Sequence, residues 1–281
     1  MESPGRISVL LLAVFLSACG GVDPFDVDDV VDEVEGRSCV DAGAEIPEEE
    51  CIGLVFLFAS TVGPNWTNNI GWGENNRPCS WFGVTCVDGH VSSVSLESNG
   101  LAGSLPSQLR GLRAITILEL GDNQLTGPIP SEIGGMIFLN RLNLRDNQLT
   151  GTIPPELGNL GNLRVLALRN NQLAGPIPSE LGNLRSLVFL NLSGNQLTGA
   201  IPSELGNLSF ARFLLLEGNQ FGGVVPLPVA DLGGRIQSSF APDQCRFQSN
   251  PGLFVPDTQD YMDADRDSDG FICGIALLPP S

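Results

Sequence analysis

The residues most plainly able to do chemistry are three carboxylates near the C-terminus. Asp265, Asp267 and Asp269 alternate and are followed by Gly270. That spacing curls three hard oxygen donors around one point, as at positions 1, 3, 5 and 6 of a calcium loop, with the backbone carbonyl of Phe271 at position 7. Position 12 falls on Ala276, so the bidentate Glu is missing there, and Asp260 or Asp263 is left to supply an oxygen. Calcium is the cofactor this pattern predicts, ordering a tail with little core of its own. The plainer reading is a solvated acidic turn. No organic cofactor is expected. Catalysis has no comparable support. His90 is the single histidine, and the chain contains no HExxH, GxSxG or P-loop motif. The chain is expected not to be an enzyme.

Cysteine supplies a second kind of chemistry. The chain holds seven. Residues 7–18, ISVLLLAVFLSA, are too short an apolar run to span a bilayer and fit the central region of a signal peptide. Leu16-Ser17-Ala18-Cys19 resembles a bacterial lipobox. That resemblance implies a signal peptide over 1–19, lipidation at Cys19 and a membrane contact through the lipid anchor only. Gly20 after the Cys points to outer-membrane sorting. The chain is thus expected to be exported to a bacterial cell surface or outer membrane, or else simply secreted with an incidental Cys. Setting Cys19 aside leaves Cys39, Cys51, Cys79, Cys86, Cys245 and Cys273, an even set that in an exported protein implies disulfides. Many connectivities stay open; nearness favours Cys79–Cys86 and Cys245–Cys273, leaving Cys39–Cys51.

The elements that position these groups follow from a repeat. Asn99, Asn123, Asn147, Asn171, Asn195 and Asn219 recur at one constant interval within the frame LxxLxLxxNxLxGxIPxxLxxL, cleanest at Leu163, Leu166, Leu168, Asn171, Leu173, Gly175, Ile177, Pro178, Leu181 and Leu184. A period of about 20–29 residues with this frame is the mark of the leucine-rich repeat, in which one coil cannot bury its apolar face and neighbours must stack. The two leucines of LxL point inward from a short strand. The Asn residues are read as structural, buried amides bonded to backbone groups where the chain turns. Pro after Ile should keep the convex side irregular or 3₁₀.

The GxIPxxLGxL variety resembles the plant-type repeats of receptor-kinase ectodomains and polygalacturonase inhibitors, and of some secreted bacterial proteins. The match runs from Ile46 to Leu232. It takes in an N-terminal cap in which Cys79-Ser80-Trp81-Phe82-Gly83-Val84-Thr85-Cys86 resembles the family's cap motif, although Pro78 stands where plant members carry a further Cys. The resemblance implies an α/β solenoid: a right-handed horseshoe with short parallel strands on its concave face, a helical N-terminal cap and a small disulfide-linked C-terminal tail. The DRDSDGFIC run around Asp265 likewise resembles a small excalibur-type calcium module, with Gly274 in place of its closing Glu.

Composition divides the chain. Residues 20–38 are densely acidic with no pattern that buries a core and read as a disordered tether; 39–90 form the disulfide-bonded cap, 91–232 the six repeats and 233–281 the tail. The net charge of −18 splits as −12 over residues 20–89, −2 over 90–232 and −4 over 233–281. A near-neutral horseshoe with acidic flanks excludes nucleic acid as partner. Pro47 and three glutamates should open a helix reaching Ser60 and packing under the first coil.

Outward residues of the strands form three columns. The first is Ser93, Ile117, Arg141, Val165, Phe189 and Phe213; the second Ser95, Glu119, Asn143, Ala167, Asn191 and Leu215; the third Glu97, Gly121, Arg145, Arg169, Ser193 and Glu217. Val165, Phe189, Phe213 and Leu215 should make an apolar strip with Arg141, Arg145 and Arg169 clustered beside it. Aromatics next to Arg are what protein-binding surfaces use, so a protein or peptide ligand is expected there. The alternatives are an inhibitor of secreted glycanases, a structural calcium-binding envelope protein, or a strip that merely suits a pleated surface. Glu97, Glu119 and Glu217 are expected to lie several coils apart, with no glycosidase pair. Oligomeric state is left open.

Overall fold

The computed structural model describes residues 45–229, Leu232, Asn250 and four short strands beyond them, Cys245–Arg246, Gly252–Phe254, Phe271–Ile272 and Ile275–Ala276. Cys19, the tether at 20–38, Cys39, Cys273 and the calcium-loop carboxylates Asp265, Asp267 and Asp269 lie outside the described residues.

Glu48–Ser60 form one α-helix, α1, with Pro47 as its extended N-terminal flank and Glu48, Glu49 and Glu50 in its first turn, where the positive end of the helix dipole favours acids. Its buried face, Cys51, Leu54 and Leu57, lies on the first coil, where the backbone of Gly111 approaches Glu49 too closely for any side chain. The rest of the cap is built on tryptophan. Trp66, Trp72 and Trp81 pack in sequence at ring-centroid distances of 5.0 and 4.9 Å. Each indole N–H is satisfied as burial requires: Trp66 donates to the Thr61 carbonyl, Trp72 to the Phe82 carbonyl and Trp81 to Asn75 Oδ1. A disulfide joins Cys79 and Cys86, as their nearness suggested. Cys51 is disulfide-bonded as well, while Cys39, the partner expected for it, is outside the described residues.

From the cap the chain winds as a right-handed solenoid. One sheet carries the concave face in the order Val84–Val87, His90–Ser95, Ile117–Glu119, Arg141–Asn143, Val165–Ala167, Phe189–Asn191, Phe213–Leu215 and Cys245–Arg246. The first pair is antiparallel and the rest are parallel. Three-residue strands suffice because the intervening leucines stack: Leu118, Leu142, Leu166, Leu190 and Leu214 are all 0% exposed. On the convex side Pro130, Pro154, Pro178 and Pro202, extended in backbone, each enter a five-residue 3₁₀ turn. This is the short, irregular convex side that the Ile-Pro pair predicts.

The asparagines do what a buried amide must. Asn171 donates from Nδ2 to the carbonyls of Leu144 and Leu168, and its Oδ1 accepts from the Leu149 N–H at 3.0 Å, so one side chain ties its own coil to the one before. Asn147, Asn195 and Asn219 repeat the pattern. Asn99 instead exchanges two bonds with the backbone of Asn68 and welds the first coil to the cap. Asn123 makes the same bonds as the later asparagines but is only half-buried.

Described strands beyond residue 232 pair with those of the last repeat. Leu214 pairs with Cys245 and Leu215 with Arg246 in parallel register, and Gly252–Phe254 joins Gln220–Val224 in a second parallel sheet. Asn250 takes the ladder position, donating to the Leu216 carbonyl and accepting from the Phe221 N–H, both at 3.1 Å. The described strands of the 233–281 tail thus continue both parallel sheets of the repeats. Beyond it, Phe271 pairs with Ala276 across a small antiparallel hairpin. Among the described residues, no helix is long and apolar enough to cross a membrane.

Candidate ligand-binding face

Parallel pairing without slippage makes the first two columns real. Ser93, Ile117, Arg141, Val165, Phe189 and Phe213 are partners in one line, and Ser95, Glu119, Asn143, Ala167, Asn191 and Leu215 in the next. Each strand contributes the same positions because the stacked leucines beneath it permit one register only.

Phe189 and Phe213 meet with ring centroids 5.5 Å apart, tilted by 53°, a favourable edge-biased contact. Both rings, with Val165, Leu215 and Ile117, are half-buried: their stems rest on the sheet and their outer edges reach solvent. The apolar strip exists and is mounted on a rigid sheet.

The arginines beside it are not free. Arg145 bonds Asp122 at 2.6 Å and Asp146 at 2.8 Å and reaches Glu97 at 3.5 Å. Arg169 meets Asp146 at 3.5 Å, and Arg141 meets Glu119 at 3.3 Å. Three guanidinium groups face four carboxylates, so the cluster presents no net positive charge to a ligand. Asp122 and Asp146 hold these places through left-handed backbone, φ 55° and 54°, which Asp tolerates better than bulky residues. Burial disfavours the charge on Arg145, but the Asp146 hydrogen bond and the nearby carboxylates outweigh it and raise its pKa. Burial likewise opposes ionisation of Asp146, yet hydrogen bonds from Asn170 and Arg145 and the charge of Arg169 hold its carboxyl below the usual range. The network is a rigid brace between coils more than an anion receptor.

The middle column is less open than its alternation suggests. Asn143, Ala167 and Asn191 are buried, at 9%, 5% and 5% exposure. Asn143 donates to Glu97 at 2.6 Å, and Asn191 Oδ1 accepts from both the N–H and the hydroxyl of Ser193. Polar neighbours on the same face bond these amides, which alternation cannot register. One spacing expectation also needs correction. Glu97 and Glu119 stand on adjacent coils, since Ser95 pairs with Glu119, and each is held by an arginine. Among the described residues, no group of three or more His, Cys, Asp or Glu is arranged to hold a metal ion.

Two sequence-family profiles match, both described as leucine-rich repeat, one over residues 138–197 and one over 114–136. Among solved structures, the ectodomain of the plant membrane receptor kinase GASSHO1/SCHENGEN3 from Arabidopsis thaliana, in complex with CASPARIAN STRIP INTEGRITY FACTOR 2, is 32% identical over 73% of this chain, with TM-score 0.60. Pollen Receptor Kinase 3 is 30% identical over 63% of this chain and 83% of its own, with TM-score 0.55. The plant peptide hormone receptor RGFR1 in complex with RGF2 is 29% identical over 64% of this chain, with TM-score 0.50. The chain spans only 24% of the first of these and 27% of the last. With its repeat frame, its asparagine ladder and its tryptophan-built cap, the chain belongs to the leucine-rich repeat family, in the plant-type variety.

Proposed function

We propose that this chain is a non-enzymatic binding module that takes a protein or peptide on its concave face. The observation that carries the reading is the Phe189–Phe213 pair, two half-exposed aromatic rings in contact on a sheet whose register cannot slip. Such rings are stabilised by contact with a partner while costing little side-chain entropy, the profile of an interface anchor. Val165 and Leu215 extend the apolar area, and the carboxylate-braced Arg141, Arg145 and Arg169 form its polar rim. Plant relatives solved with bound partners support a ligand of this class. The segment ending at Cys19 supports export, with display at a cell surface through a lipid; Asp265, Asp267 and Asp269 are assigned to calcium.

The test is affinity capture from the native cell surface and its surroundings, with and without calcium. Phe189→Ala combined with Phe213→Ala should abolish capture while circular dichroism stays unchanged. Retention of the same partner by a folded double variant refutes the concave site.

A further inference from the structure

A shallow, open groove of about 1040 Å³ runs along the flank of the solenoid, just before the concave strands begin; it contains neither Phe189 nor Phe213 and shares Ile117 with the first concave column. Its walls come from equivalent positions of successive coils. Phe138 and Phe210 stand three coils apart along it, 55% and 67% exposed, among the most exposed large apolar side chains of the described residues. No repeat rule calls for an aromatic there: the same position holds Ala114, Asn162 and Ser186 in the other coils. Val188 adds apolar lining between them, and Ile117 lines the coil before Phe138.

The polar chemistry of the groove has one sign. Arg164 lines it and makes no ion pair among the described residues, unlike Arg141, Arg145 and Arg169, and no carboxylate lines it. In a chain of net charge −18, an exposed arginine in a trough without acids is a place for a foreign carboxylate. Asn140 and Asn162 spend amide N–H groups on the carbonyls of Asn162 and Ile137, leaving their side-chain oxygens to accept N–H groups from a guest backbone.

We propose that this flank groove binds a short extended acidic peptide segment, with Phe138 and Phe210 receiving apolar side chains and Arg164 pairing with an Asp or Glu between them. The geometry sets the spacing. Phe138 and Phe210 are three coils apart, roughly 14 Å at the usual strand separation, and an extended chain covers that in about four residues. Arg164 sits one coil beyond Phe138, so the acid belongs one or two residues from the first apolar anchor. The site does not depend on the concave reading and could serve a second partner or a second segment of the same one.

The probe is a phage-displayed random 12-residue peptide library, selected on the full chain and then measured against two variants. One carries Phe138→Ser, Arg164→Ala and Phe210→Ser; the other carries Phe189→Ala and Phe213→Ala. All the altered side chains of the first variant are exposed, so its thermal midpoint should match the parent's. The expected result is a family of peptides with two apolar residues about four apart and an acid between them. Their binding should fall at least tenfold on the flank variant and hold on the concave variant. Recovery of no binders, of basic or pattern-free peptides, or of peptides that lose binding only on the concave variant overturns the proposal. So does light scattering showing that the groove is covered by a second copy of the chain.

Discussion

Asn250 Oδ1 accepts the backbone N–H of Phe221 at 3.1 Å, and through that bond a residue far along the chain adds a further rung to the asparagine ladder. Both residues are buried, so neither group has water as a substitute. Asn250→Ala strands the Phe221 N–H, while the Leu216 carbonyl keeps the Asn219 amide, and should cost about 1–3 kcal/mol. The loss should be local, because a solenoid transmits stability between neighbours only. Hydrogen exchange should speed up across residues 213–229 and stay unchanged in the cap; uniform acceleration, or none, contradicts this role of Asn250.

Two glycines in one coil make a controlled pair. At Gly158 an added Cβ would overlap the backbone of Glu180 on the next coil, whereas Gly161 has nothing within 4 Å. Gly158→Ala should force coils apart and destabilise by about 1–3 kcal/mol. Gly161→Ala should be neutral or stabilising by about 0.5 kcal/mol through the unfolded chain. Urea denaturation of both variants checks the ordering.

Asp146 makes the brace acid-sensitive. Its folded pKa lies below the ordinary 3.8, so its contribution is complete above pH 3.8 and disappears as pH falls through the folded value. Asp146→Asn should lower stability at pH 7 by about 1 kcal/mol. The gap between variant and parent should begin to narrow below pH 3.8 and vanish only below the folded pKa. A gap that persists into strong acid means the carboxylate was not carrying the effect.

All three tryptophans, Trp66, Trp72 and Trp81, belong to the cap, so fluorescence reports that end alone while far-UV circular dichroism reports the whole solenoid. Replacing Cys79 and Cys86 by Ser should remove about 2 kcal/mol from the cap. The fluorescence transition in urea should then precede the dichroism transition. Coincident transitions would show the cap and coils unfolding as one unit.

The sequence alone settled what depends on period. Leucines at fixed spacing must stack, a recurring amide must satisfy turning backbone, and Pro after Ile must shorten the convex side; these follow from local chemistry repeated at a constant interval. The outward columns were legible for the same reason. Tertiary structure decided whatever depends on neighbours meeting. Arg141, Arg145 and Arg169 looked like a cationic cluster because column position shows which residues are adjacent but not which bond; Arg141 and Arg169 reach carboxylates of the preceding coil, and Arg145 bonds both its neighbour Asp146 and Asp122 of the coil before. Asn143 and Asn191 alternate outward yet are buried, Asn143 bonded to Glu97 and Asn191 to Ser193. Asn250 escaped the period because it falls later in the chain than the interval from Asn219 would place it, and only strand pairing could bring the late turn back into register. The flank groove was invisible for a related reason: Phe138 and Phe210 belong to coils well separated in sequence, and a surface common to both exists only once the coils are stacked.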